Sequence, residues 1–262
     1  MSEDKPMSFL DHLEELRWRL LRAAIAVIVF ACVIWVYQRE IMEGIFLNMV
    51  KPDFISFRLL CEYLGVCVEQ IHIDFQSTTL SGQFSYALMM SIMGGVVLAF
   101  PYIFYQLWAF VKPGLKLNER KMARGIVFYV SILFFSGILF GYYVVAPLSV
   151  QFFGAFQITP EIKTDVTIAS YMSTVLSTVF YTGLFFLFPI VTFLLVKIGL
   201  FTPDFLIKYR KHAIVVILIL AAVITPPDVI SQIIVTIPIY LLFEISILVA
   251  KRVIKEEEKE EK

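Results

Sequence analysis

Six stretches of the chain are apolar with at most one charged residue each: Leu20–Tyr37, Phe84–Val111, Ile126–Ala146, Tyr171–Ile198, Ala213–Ile224 and Val229–Ala250. Crossing about 30 Å of hydrocarbon takes about 20 helical residues at ~1.5 Å each, so this pattern predicts six transmembrane helices. The second and fourth runs are long enough to tilt. The fifth, AIVVILILAAVI, is twelve residues and reaches only ~18 Å as a helix. We expect the fifth and sixth spans to be short.

The segments between the runs carry the charge. Residues 1–19 form an amphipathic segment, with Leu13, Leu16 and Leu20 at helical spacing beside the acids and bases of HLEELRWRL. Residues 38–83 form a long acidic loop that we expect to be structured: FISFRLLCEYLGV (54–66) has helical periodicity, and Ile71, Ile73 and Phe75 alternate. Residues 251–262 form a charged tail. We read residues 1–262 as a single membrane domain.

Composition agrees with a membrane protein: 59% of the 262 residues are hydrophobic, 25 are Phe, and only 17% are charged. The formal net charge is zero, which gives no nucleic-acid signature. The first apolar run spans fully and no small-residue cleavage site follows it, so a cleavable signal peptide is not expected. Of the 22 basic residues, all but Arg39, Lys51, Arg58 and Lys163 lie in the amino-terminal segment, the second-to-third loop, the fourth-to-fifth loop or the tail. The positive-inside rule then places both termini in the cytoplasm and the 38–83 loop in the periplasm of a bacterial inner (plasma) membrane. Three cysteines are too few for a disulfide scaffold or a zinc centre. Cys32 reads as a core residue. Cys61 and Cys67 lie on the oxidising side, where a disulfide and two free thiols both fit. No metal site and no cofactor are expected.

Several features interrupt the runs. Pro101, Pro189 and Pro238 each remove a backbone donor and invite a kink. Gly137 and Gly141 form a G-x-x-x-G that lets helices approach closely. The fourth run opens with Ser170, Ser173, Thr174, Ser177, Thr178, Tyr181 and Thr182. Such hydroxyls bond to their own backbone or line a wet concavity. In ITPPDVISQ (224–232), Pro226–Pro227 ends one helix, Asp228 caps the next, and Gln232 lies one turn on. A short fifth span would hold Asp228 near a thinned bilayer. Glu244 is a second acid inside the sixth run, placed to snorkel or to bond within the bundle.

Five segments in order resemble the TatC family, the multispanning subunit of the twin-arginine (Sec-independent) protein translocase. They are HLEELRWRL (12–20), FPYIFYQLWAFVKPGLKLNERK (100–121), FSGILFGYYVVAPL (135–148), TDVTIASYMS (164–173) and ITPPDVISQIIVTIPIYLLFEI (224–245). The resemblance covers nearly the whole chain. It implies an all-α integral membrane protein whose six helices form a glove-shaped, concave bundle. It also implies a receptor for signal peptides bearing S-R-R-x-F-L-K, acting with single-span TatA- and TatB-type partners in an oligomeric complex. That complex moves folded proteins across the bilayer on the proton-motive force. Glu15, Arg17, Phe110 and Glu119 fall on the signal-peptide positions, Asp228 on the acid of the proline-rich turn, and Gln232 on a partner-helix position. Two features depart from the family pattern. Leu187 stands where many members carry a glutamate, and the first outer loop, with its two cysteines, is longer.

The chemistry of the proposed ligand fits these positions. A guanidinium keeps its charge and its planar fork suits two-point carboxylate binding. Two adjacent arginines therefore suit two separated carboxylates, and Glu15 and Glu119 lie in two different cytoplasmic segments. The plainer reading is local. Glu15 is four residues before Arg19 and Glu14 three before Arg17, spacings that give surface ion pairs worth ~0.2–0.5 kcal/mol each. A rival function is a secondary transporter of a small solute or ion, coupled through Asp228, Gln232 and Glu244. An enzyme is not expected: His12, His72 and His212 lie in separate segments, and neither H-E-x-x-H nor G-x-S-x-G occurs.

Overall fold

The computed structural model describes residues 9–51, 53–64, 75–111, 125–156, 158–159, 166–197, 200–225 and 229–260. They are almost wholly helical, and their only strand-like pairing is an isolated parallel bridge between Gln76 and Thr167. In chain order the helices are α1 (Phe9–Val36), α2 (Gln38–Ile41), α3 (Ile55–Leu64), α4 (Gly82–Val111), α5 (Ile126–Phe140) and α6 (Ala146–Ala155). There follow α7 (Ile168–Phe185), α8 (Phe188–Lys197), α9 (Pro203–Lys208), α10 (Arg210–Ile224) and α11 (Val229–Glu260). Among the described residues, five segments are long and apolar enough to cross a membrane: Leu10–Val36, Gly82–Val111, Ile126–Ala155, Ile168–Val196 and Gln232–Arg252.

The chain divides into two units, one from Met1–Ile41 and Phe84–Ile132, the other from Met42–Gln83 and Leu133–Lys262. In the first, α1 and α4 run antiparallel. The rings of His12 and Phe110 stack at one end, 4.2 Å apart and 14° from parallel. Trp35 meets Phe84 edge-on at the other, at 5.5 Å. Between them the sequence supplies Gly94–Gly95. A Cβ on Gly95 would fall 2.8 Å from both the Ala31 nitrogen and the Val27 oxygen, so only glycine permits this approach. Phe100, Phe104 and Trp108 stack along one face of α4 at one-turn spacing. The amphipathic segment and the first apolar run are one continuous helix, α1, because no breaker separates them. Its apolar side chains from Leu10 to Val36 are mostly exposed.

In the second unit the core gathers Val145, Val196, Leu206, Ile217, Ala221, Val235, Ile239, Phe243, Ile247 and Ala250. α11 thus packs on α8, α9 and α10. The G-x-x-x-G, with Gly137 in α5 and Gly141 opening the π turn that follows, meets α7: a Cβ on Gly137 would lie 2.9 Å from Gly183 Cα, and one on Gly141 2.9 Å from Val179 Cα. Thr167 and Thr202 accept backbone N–H bonds that start α7 and α9, each at 3.2 Å.

The 38–83 loop is structured where it is described. A π-helical turn (Met42–Phe46) and a 3-10 turn (Leu47–Val50) follow α2. Tyr142 donates to the Ile45 carbonyl at 2.8 Å, and Tyr171 donates to that of Phe46. These bonds satisfy carbonyls at the π-to-3-10 junction, where regular helix pairing fails.

Two expectations need correction. The third span does not stop at Ala146 but runs to Ala155. The π turn at Gly141–Val145 carries it past Pro147, and the Tyr143 carbonyl, deprived of the Pro147 N–H, accepts from Ser56 Oγ. The fifth run forms α10, short as expected at 15 residues, about 22 Å, and is not among the five segments long enough to cross. The sixth run is not short: its apolar part, Gln232–Arg252, has 21 residues, enough to cross, and α11 runs on beyond it through the Glu- and Lys-rich tail, a good helix former, to 32 residues. Among the prolines, Pro189 follows a real break, the turn Phe186–Leu187, whereas Pro101 and Pro238 sit inside continuous helices.

Candidate functional site

The amino-terminal half of α1 sets three side chains in register. His12, Glu15 and Arg19 are three and four residues apart, so they follow one face. The His12–Phe110 stack fixes that face against the end of α4. Glu15 Oε1 accepts from Arg19 Nε at 2.9 Å, and also from Arg19 Nη2. Its other oxygen, Oε2, is covered and has no hydrogen-bond partner among the described residues. Both side chains are mostly sheltered, Arg19 at 21% exposure and Glu15 at 26%. The expected Glu15–Arg19 pair is therefore formed. Glu14 and Arg17 are both exposed, and no ion pair joins them. Phe110 is the second residue from the end of α4, immediately before residues 112–124. Glu119 lies in that segment, outside the described residues.

Gln106, one turn before Phe110, is 4% exposed, and its Oε1 has no hydrogen-bond partner among the described residues. The sequence reading gave it no role. Its signal was a lone amide in an otherwise apolar stretch of the second run.

The second group lies on α10 and α11. Glu244 receives Arg210 Nη2 on Oε2 at 2.8 Å and Tyr240 OH on Oε1 at 2.9 Å. Both carboxylate oxygens are thus occupied, and Arg210 Nε is the atom left buried without a partner among the described residues. Gln232 Nε2 donates to the Leu218 carbonyl at 3.1 Å, bracing α11 on α10. Gln232 and Glu244 stand twelve residues apart on one helix, about 18 Å along its axis, so they do not share a site. Asp228 lies outside the described residues. Sequence reasoning missed Arg210 and Tyr240. Tyr240 is four residues before Glu244 and was available from spacing, whereas Arg210 is 34 residues away and only the fold brings it in.

Cys61 is disulfide-bonded, and Cys67 lies outside the described residues. Cys32 is free and exposed, not a core residue. Its environment is the outer surface of α1 rather than the packed interior. In the hydroxyl stripe of α7, Thr182 Oγ1 donates to the Thr178 carbonyl at 2.7 Å, the local backbone bond such residues commonly make. Leu187 occupies the turn between α7 and α8.

Residues 11–238 match the family model for the Sec-independent protein translocase protein TatC. The TatC protein of Blattabacterium sp. subsp. Periplaneta americana is 36% identical over 258 residues, covering 95% of this chain and 97% of that one. TatCy of Bacillus subtilis is 34% identical over 253 residues, covering 97% and 92%. A crystal structure described as the twin arginine translocase receptor TatC superposes with a TM-score of 0.68 at 29% identity, covering 92% of this chain and 98% of that one. With an all-helical membrane fold and matches along nearly its full length, the chain is a multi-pass protein-translocase component and belongs to the TatC family.

Proposed function

We propose that this chain is the signal-peptide receptor of a twin-arginine translocase and not an enzyme. Glu15 and Glu119 receive the paired arginines, with Phe110 and Arg17 beside them. The chain spans the bacterial inner membrane six times with both termini inside. It works with TatA- and TatB-type single-span partners, which meet it around Asp228 and Gln232, and transport of folded cargo draws on the proton-motive force. The observation that carries the reading is Glu15. Its carboxylate has an oxygen with no partner among the described residues, on a helix face held against the end of α4 by the His12–Phe110 stack. A buried acceptor left unmatched favours a ligand that supplies the donor. The solved relative described as a receptor supports the same direction. The rival transporter reading loses Glu244 as a free acid, since both its oxygens are matched by Arg210 and Tyr240; its other acid, Asp228, lies outside the described residues. We further propose that Cys61 pairs with Cys67.

The test is binding of a twin-arginine signal peptide and its twin-lysine version to the detergent-solubilised protein. The wild type should prefer the arginine form. Glu15→Gln and Glu119→Gln should each weaken binding about 10- to 100-fold, the loss of a charge-assisted hydrogen bond worth ~1.5–3 kcal/mol. Wild-type affinity in both variants would refute the carboxylate pair.

A further inference from the structure

Glu15 is not idle in the resting structure. One oxygen, Oε1, takes two donors from the Arg19 guanidinium, Nε at 2.9 Å and Nη2. The other, Oε2, is covered. An arginine from outside the chain binds a carboxylate best with its fork across both oxygens. That geometry is closed on both sides here: Arg19 holds one oxygen, and the neighbouring atoms cover the other. The Arg19 side chain carries the same chemical group as the proposed ligand and is only 21% exposed, so the pair is better sheltered from solvent than an ordinary surface pair.

We propose that Arg19 is an intramolecular competitor for Glu15, a resident guanidinium that the signal-peptide arginine must displace. This rests on the reading of Glu15 as a signal-arginine acceptor and adds a threshold to it. Arg19 is anchored to the same helix four residues away, so its local concentration is high. A weakly held cationic segment does not displace it. A peptide that is also held elsewhere does. Release of Arg19 frees the Glu15 carboxylate to swing so that both oxygens face the incoming fork. Arg19 is a positioning residue in this scheme: it acts through Glu15 and does not touch the peptide.

The experiment measures twin-arginine peptide affinity for the full-length protein in detergent, comparing Arg19→Ala, Arg19→Lys, Arg22→Ala, Glu15→Gln and the double variant Glu15→Gln/Arg19→Ala. Arg19→Ala should bind the peptide about 2- to 10-fold tighter. Arg19→Lys keeps the charge but not the fork and should fall between it and wild type. Arg22→Ala removes an exposed charge one turn on the same helix and should change affinity less than 2-fold. In the Glu15→Gln background, removal of Arg19 should give no gain. Unchanged or weaker binding by Arg19→Ala overturns the competitor role, as does an equal gain from Arg22→Ala or a gain that persists without Glu15. Glu15→Gln binding as well as wild type is a different failure, that of the acceptor reading itself.

Discussion

Glu15 and Glu244 are both carboxylates in apolar helices, and the difference in how their oxygens are used separates a ligand site from a brace. Glu244 has one oxygen on Arg210 and the other on Tyr240. Arg210 begins α10 and Glu244 lies well along α11, so the pair ties the two helices. Removing one partner of such a pair strands the other charge, whereas removing both does not. The pair is half-exposed, Arg210 at 42% and Glu244 at 27%, so the effect is smaller than for a fully buried one. Arg210→Ala should lower stability by roughly 1–3 kcal/mol, and Arg210→Met with Glu244→Met by less. Thermal unfolding in detergent reads this. A double variant less stable than Arg210→Ala would contradict the brace. At this scale the sequence was half legible. Glu15 and Arg19 were readable because helical spacing makes them neighbours. Arg210 was not, because nothing local couples positions 210 and 244.

At the scale of elements, small residues decide where helices meet. The antiparallel packing of α1 on α4 depends on Gly95, whose missing Cβ leaves room for the backbone of Ala31 and Val27. Backbone cannot yield as a flexible side chain can, so Gly95→Ala must push the helices apart. We expect a loss of about 1–3 kcal/mol, read as a lower midpoint in thermal unfolding. Gly44 has nothing within 4 Å of its Cβ position, and Gly44→Ala should leave stability within about 0.5 kcal/mol. Equal effects would show that the close approach is not what stabilises α1 on α4. The apolar runs predicted most helix cores well, because hydrophobic length is itself the signal. Their ends were less legible. The third apolar run is drawn to Ala146, but the helix continues past Pro147, where a π turn and the Ser56 hydroxyl supply what the proline removes. The sixth run, expected to be a short span, has an apolar part of 21 residues, long enough to cross, and the charged tail continues the helix beyond it to Glu260.

For the whole molecule, hydropathy and motif order sufficed to place the chain among membrane translocase components. They left open which acid is free to bind, since Glu14, Glu15 and Glu244 look alike as letters. The structure separates them by the state of their oxygens: Glu14 exposed, Glu244 fully matched, Glu15 half matched. The central claim is that Glu15 contacts a signal-peptide arginine, and a double-mutant cycle tests it most directly. Peptide affinity is measured for wild type and Glu15→Gln, each with the twin-arginine peptide and with peptides in which one arginine at a time is replaced by glutamine. For one of the two arginines, the peptide and protein changes should be non-additive by about 1–3 kcal/mol. Strict additivity at both arginines would contradict the account, because Glu15 would then act on binding without touching either one.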